Sequence, residues 1–178
     1  MKVLGVDPGT AVTGYGVIET GNGHVAGGSP FGRLIECGVI KFAKRSSLPR
    51  RLHELHEGIV ELIARHRPTA LALEDAFYHK NVRTTLVLGH ARGVVLLAAQ
   101  DAGLVIAEYA PATIKKAVVG TGGAAKGQVA AMVMRLLRLR QAPKPADAAD
   151  GVAAALTFIL RSSIPRSPSP RRGEGVRG

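Results

Sequence analysis

Four carboxylates stand at three separated points of the chain, each where a secondary-structure element should begin or end: Asp7 in KVLGVDPGT, Glu74 in TALALEDAF, and Asp147 with Asp150 in PADAADGVAAAL. Asp and Glu total only 13 of 178 residues. Acids at the tips of apolar runs therefore demand a counter-charge, because burying a carboxylate without one is costly. A pair of divalent cations would supply it. Hard oxygen donors suit Mg²⁺ or Mn²⁺, and no grouping of Cys with His points to zinc. Two such ions, about 3.5 to 4 Å apart, would activate a water and offset charge on the leaving oxygen in an in-line attack on a phosphodiester. That is nuclease chemistry, and it needs no Ser, Cys or His nucleophile. Taken singly, Asp7 suits a turn before Pro-Gly and Asp147 suits a helix cap. An acid ending a strand as apolar as ALALE has little structural benefit, so Glu74 carries the functional reading even alone. Asp75 should point to the opposite face by strand alternation, which makes it a poorer candidate.

The elements that must position these acids follow from periodicity and turn chemistry. Val3 to Val6 is a continuous apolar strand ended by Asp-Pro-Gly, and Thr13 to Glu19 is a second strand reached by a short turn. Residues 20 to 32 are Gly-rich and form a loop before a third strand, Arg33 to Phe42. Leu48, Leu52, Leu55, Ile59, Leu62 and Ile63 recur at helical spacing, and Pro68 stops that helix before the buried strand Ala70 to Glu74. A helix over 80 to 101, a strand Leu104 to Tyr109, a short helix Pro111 to Val119 and a helix Gln128 to Leu139 come next. Pro143 and Pro145 break the last of these, and Asp147 opens a final helix running to about Arg161, where the helix dipole favours an acid. The predicted fold is α/β, with a five-stranded mixed sheet flanked by helices. With strands 1 and 4 side by side, Asp7 and Glu74 fall at carboxyl ends, where open α/β sheets place their sites. Asp147 and Asp150, three apart on a helix, project from one face toward them.

At 178 residues and 46% hydrophobic content, the chain builds one full core and is too short for two ordinary domains. Its formal charge of +11 favours a polyanionic partner, nucleic acid before membrane. Residues 161 to 178 contribute +4 of this, leaving +7 on the body, so a nuclease domain over 1–160 is itself basic, and the Ser-, Pro- and Arg-rich tail 161–178 is expected to be disordered. Cys37 is the single cysteine and is expected as a core thiol, so disulfides cannot hold the monomer and a reduced cytoplasm fits. No uninterrupted apolar stretch approaches a bilayer span, and the N-terminal residues are expected to form a strand rather than a basic and apolar leader.

LGVDPGTAVTGYGVIE, ALEDAFYHKN, GHARGV, EYAPATIKKAVVGTGGAAKGQV and ADAADGVAAAL, in this order over most of residues 1 to 160, resemble the RuvC family of Holliday junction resolvases. The resemblance implies a ribonuclease H-like fold, a homodimer, and Mg²⁺-dependent cleavage of four-way DNA junctions by paired nicks in strands of like polarity. Asp7, Glu74, Asp147 and Asp150 would be the catalytic tetrad and the metal ligands. Phe77 matches the aromatic that the family projects toward the crossover, where it could stack on or wedge between unpaired bases; Tyr78 beside it is a second candidate. Lys115 and Lys126 match lysines near the scissile phosphate, able to neutralise charge without reading sequence. The small residues of GHARG would let two helices approach closely in a two-fold dimer. The branch-migration proteins RuvA and RuvB are further partners the resemblance implies. The Gly-rich stretch 20–32 is longer than the hairpin connection expected in the family, and the tail matches no family motif.

Other motifs fall away. Lys126 after GTGGAA lacks the Ser or Thr of a phosphate loop, since Gly127 follows it. HELH at 53–56 is one residue short of a zinc protease motif, and its histidines should decorate an exposed helix face. Two alternatives of other classes stand beside the nuclease: a catalytically silent junction-binding protein, and an ATPase or sugar-kinase-like domain suggested by DPGTAVTG, for which the chain lacks a second lobe.

Overall fold

The computed structural model describes residues 1–21, 28–43, 46–75 and 81–162, and among them five strands and five helices. Strands β1 (Lys2–Asp7), β2 (Val12–Glu19) and β3 (Arg33–Lys41) form an antiparallel meander. Helix α1 (Leu48–His66) crosses over to β4 (Ala70–Glu74) and α2 (Val82–Asp101) to β5 (Val105–Tyr109), followed by α3 (Pro111–Val119), α4 (Lys126–Leu136) and α5 (Ala146–Ser162). The sheet order is β3-β2-β1-β4-β5, with β1–β4 and β4–β5 parallel. This is the five-stranded mixed sheet with flanking helices that the sequence predicts.

Alternation divides each strand between two layers. Leu4, Val6, Val17, Leu71 and Leu73 pack with Leu55, Ile59 and Leu62 of α1 and Ala91, Val95, Ala98 and Ala99 of α2. Val3, Ile18, Ala70 and Ala72 pack instead with α3, α4 and α5. On this second face Gly5, Gly14 and Gly16 leave α5 room to lie against the sheet backbone. A Cβ on Gly14 would sit 2.7 Å from the Asp147 carbonyl carbon, one on Gly16 2.7 Å from Val152 Cα, and one on Gly5 2.8 Å from Ala155 Cβ. Gly151 reciprocates from the helix, where a Cβ would meet the Tyr15 backbone. Single glycines inside strands commonly mark such close approach of another backbone.

Helix boundaries shift where local capping competes with periodicity. α4 begins at Lys126, two residues before the predicted Gln128, because the Gln128 side chain accepts a 2.8 Å hydrogen bond from the Ala125 N–H and so stabilises an earlier first turn. It ends at Leu136 rather than Leu139, since Arg138 takes a left-handed φ of 51°. α2 begins at Val82 rather than 80, capped by Asn81, whose side chain accepts from the Thr84 N–H at 3.2 Å. α1 stops at Arg67, also left-handed, immediately before Pro68.

α2 is long and apolar enough, by length and composition, to cross a membrane. Its inner face is nevertheless packed on the sheet, and its Arg92 is ion-paired to Asp75 and Glu108 within the protein. Cys37 is half-buried beside the α5-side core. His53 lies exposed next to Glu57 and His56 is half-buried, so HELH holds nothing jointly. The tail beyond residue 162, like residues 22–27 of the Gly-rich stretch, lies outside the described residues.

Candidate active site

Asp7 ends β1 and Glu74 ends β4, and the parallel register of those neighbours sets Val6 beside Leu73. The next residues of both strands, the two acids, therefore emerge at the same edge. Val3 and Gly5 face α5, so Asp7 faces it as well; Ala70 and Ala72 do the same for Glu74. Asp147 lies in the first turn of α5, and Asp150 follows one turn later. Because Gly14 is paired with Asp7 across the β1–β2 ladder and its missing Cβ admits the Asp147 backbone, the start of α5 is seated directly over the strand ends. Three elements distant in sequence thus bring their four carboxylates to one place.

The electrostatics register that convergence. Burial pushes the Asp7 carboxyl up to about 8, and the negative charges of Glu74, Asp150 and Asp147 add to the rise, opposed by Lys126. Glu74 is pushed up to about 7 by burial and then by Asp150, with Lys126 and Lys115 pulling the other way. Lys126, the first residue of α4, reaches in from the side. Its ammonium donates a 2.9 Å bond to Asp150 Oδ2 and lies 3.7 Å from Asp147 Oδ1. That bond to Asp150 is also the main cause holding the lysine above its ordinary value. Lys115 on α3 is half-buried and near enough to act on Glu74. Phe77 and Tyr78 lie outside the described residues.

Asp75 points to the opposite side of β4, as alternation predicts, into an ion pair with Arg92 of α2 that is buried at its Asp75 end. Arg92 also bridges to Glu108 of β5. Sequence reasoning missed this bridge, although the alternation that sets Asp75 apart from Glu74 also sends it toward α2. It missed the glycine seat as well, for which the G-x-G of TGYGV on β2 was an available signal.

The donors fit hard divalent cations. All four are carboxylates, and Asp7 and Glu74 are raised first by burial and then by the neighbouring acids, costs that are relieved when a cation replaces the proton. Among the described residues no three acids, histidines or cysteines stand as a closed metal-ligand set; a single ammonium, that of Lys126, lies between Asp147 and Asp150 instead. One positive charge cannot neutralise four carboxylates.

The chain matches the family described as crossover junction endodeoxyribonuclease RuvC over residues 3–158. The crossover junction endodeoxyribonuclease RuvC of Halorhodospira halophila is 47% identical over 164 residues, covering 92% of this chain and 93% of that protein. Its counterpart in Rhodospirillum rubrum is 49% identical over 159 residues, 88% of either chain. Among solved structures, Thermus thermophilus RuvC in complex with Holliday junction substrate superposes with a TM-score of 0.81 at 34% identity, covering 91% of this chain and 94% of that one. Ordered strands, matched length and sequence identity agree, and this chain belongs to the RuvC family of crossover junction endodeoxyribonucleases.

Proposed function

We propose that this protein is a structure-selective endonuclease that resolves four-way (Holliday) DNA junctions in recombination and repair, making paired symmetric nicks that leave 5′-phosphate and 3′-hydroxyl ends. The observation that carries this reading is the convergence of Asp7, Glu74, Asp147 and Asp150 at one edge of the sheet, with more negative charge than Lys126 can offset. These four would hold two Mg²⁺ ions, with Mn²⁺ as a substitute, which when bound supply a water of lowered pKa and stabilise the leaving oxygen.

The chain's own residues do the rest. Asp147 and Asp150 sit on a helix held against the sheet, so their oxygens are fixed in place before substrate arrives. Lys126 is 72% exposed at its side chain, so it can exchange Asp150 for a DNA phosphate without crossing a packed core. Lys115 supports it from α3, and Phe77 and Tyr78 follow Glu74 closely enough to stack on bases beside the cut. The basic charge of the whole chain favours the polyanionic substrate.

A junction has near two-fold symmetry, and two cuts need two copies of the site. α2 suits a homodimer interface: Leu86 and Leu97 are exposed, and Gly89 and Gly93, one turn apart, have open space where their Cβ atoms would be. RuvA and RuvB would deliver the junction, in the cytoplasm.

The test is cleavage of a synthetic four-way junction with and without chelator. Wild-type protein is expected to cut only with Mg²⁺ or Mn²⁺, and Glu74→Gln to bind the junction without cutting it. Normal cutting by Glu74→Gln would contradict the assignment, and binding without cutting by the wild type would leave a silent junction binder.

A further inference from the structure

We propose that Arg92 is a positioning residue for Glu74, acting through Asp75 from the face of the sheet opposite the four acids. The inference rests on the nuclease reading above, since it concerns the placing of one of its carboxylates.

Arg92 reaches from α2 to two strands at once. Its Nε donates to Glu108 Oε2 on β5 at 2.8 Å, and a second guanidinium nitrogen pairs with the same oxygen. Nε also lies 3.2 Å from Asp75 Oδ1, the residue directly after Glu74. Asp75 is only 6% exposed, and its Oδ1 is buried without a hydrogen bond among the described residues. Its attachment through that atom is therefore charge attraction to the guanidinium. The backbone is tied as well, through the Asp75 N–H to the Tyr109 carbonyl at 2.9 Å. The end of β4 and the residue that follows it are thus fixed to β5 directly and through an arginine that is itself anchored on β5.

Loss of Arg92 would leave the buried Asp75 carboxylate without its counter-charge and beside Glu108, whose side chain is 32% exposed, and an uncompensated buried charge is costly. Glu108 is held within β5 beside Leu73 with its side chain partly in solvent, whereas Asp75 is buried and lies one residue past the end of β4, so Asp75 is the member that moves. It has somewhere to go, because a cavity of about 110 Å³ lies between Pro8, Glu74, Asp75, Thr85, Gly89 and Arg92. Consecutive Cα atoms are about 3.8 Å apart, so displacement of Asp75 carries Glu74 with it. A misplacement of about 1 Å at a reacting centre can cost on the order of 10²-fold in rate. Because Arg92 belongs to α2, the placing of Glu74 also depends on how that helix is seated.

The experiment compares full-length wild-type protein with Arg92→Met, Arg92→Lys, the double variant Asp75→Asn/Arg92→Met, and Leu62→Ala, a core change on α1 that lowers stability away from the site. Single-turnover cleavage of a saturating four-way junction, junction affinity in Ca²⁺, Mn²⁺ binding by calorimetry without DNA, and melting temperature are measured for each. Arg92→Met is expected to cut about 10- to 100-fold more slowly, to bind Mn²⁺ several-fold more weakly and to keep its junction affinity. Arg92→Lys should recover part of the rate. The double variant should cut faster than Arg92→Met alone, because the repelled carboxylate is gone; a purely structural role would predict further loss. Wild-type rates in Arg92→Met, a slowing no greater than that of Leu62→Ala at comparable melting temperature, or failure of Asp75→Asn to restore rate would each overturn the proposal. Glu74→Gln, assayed alongside, separates the two readings. If it is inactive while Arg92→Met is normal, only the positioning role falls; if it cuts, the nuclease assignment falls.

Discussion

On the face of the sheet that meets α1 and α2, the contact is made by Leu4, Leu71, Leu73, Leu55 and Ile59, all fully buried. On the face that meets α5, Gly5, Gly14, Gly16, Ala70 and Ala72 oppose Gly151, Ala153, Ala154 and Ala155. The first is an ordinary core, in which stability scales with apolar area removed from water, about 25 cal/mol per Å². The second gives up side-chain area for backbone proximity, and what that proximity achieves is the placing of Asp147 and Asp150 over the ends of β1 and β4. Both faces bury a core, but the close seating that places Asp147 and Asp150 belongs to the α5 face, so an apolar truncation on the α1/α2 face away from Arg92 should cost stability with limited effect on the site.

The largest effect should come from the acids themselves. Asp7→Asn or Glu74→Gln would remove a proposed metal ligand and is expected to cost on the order of 10³-fold or more in cleavage rate, about 4 kcal/mol of barrier, with junction affinity retained in a gel-shift assay. Next, Gly14→Ala and Leu71→Ala set the two faces against each other. Gly14→Ala pushes the Asp147 backbone off the strand and should lower the single-turnover rate by about 10²-fold. Leu71→Ala should cost about 2 to 5 kcal/mol in denaturant unfolding while the rate per folded molecule stays within a few-fold. Equal rate losses in the two would dissolve the distinction. Lys126→Ala is expected to slow cleavage by about 10-fold, near 1.4 kcal/mol, since it would remove one proposed phosphate contact but none of the four acids.

The smallest effect concerns metal-free stability. The folded Asp7 carboxyl titrates near 8 against an ordinary 3.8, so between those values the folded state binds more protons than the unfolded one, and stability falls as pH rises. Asp7→Asn removes the titration. In chelator, the variant should therefore melt close to the wild type near pH 4 and progressively above it toward pH 8, and Mg²⁺ should abolish or reverse the gap. A gap that widened toward acid pH would contradict the charge crowding described here.

Much of the site was legible in the sequence because each acid interrupts or ends an apolar pattern. Glu74 after ALAL and Asp7 after VLGV each mark a strand's end, and the three-residue spacing of Asp147 and Asp150 defines one helix face. The strands and crossovers were legible for the same reason, since alternation and helical period are local properties. The ends of α4 were not: Gln128 reaches back to cap Ala125 and Arg138 turns left-handed, side-chain and backbone choices that periodicity does not encode. Nor was the partner of Asp75, because its pairing with Arg92 depends on how α2 crosses the sheet. The depth at which α5 sits was written in Gly14, Gly16 and Gly151, but a glycine announces room for a neighbour without naming it.

The central claim, that carboxylates from β1, β4 and α5 jointly hold divalent cations, is tested most directly by Mn²⁺ soaked into crystals of the protein and located by its anomalous scattering. The account predicts Mn²⁺ bound within the cluster of Asp7, Glu74, Asp147 and Asp150, with the Lys126 ammonium displaced from Asp150, and loss of that signal in Glu74→Gln. Mn²⁺ bound elsewhere, or no binding at concentrations that support cleavage, would contradict it.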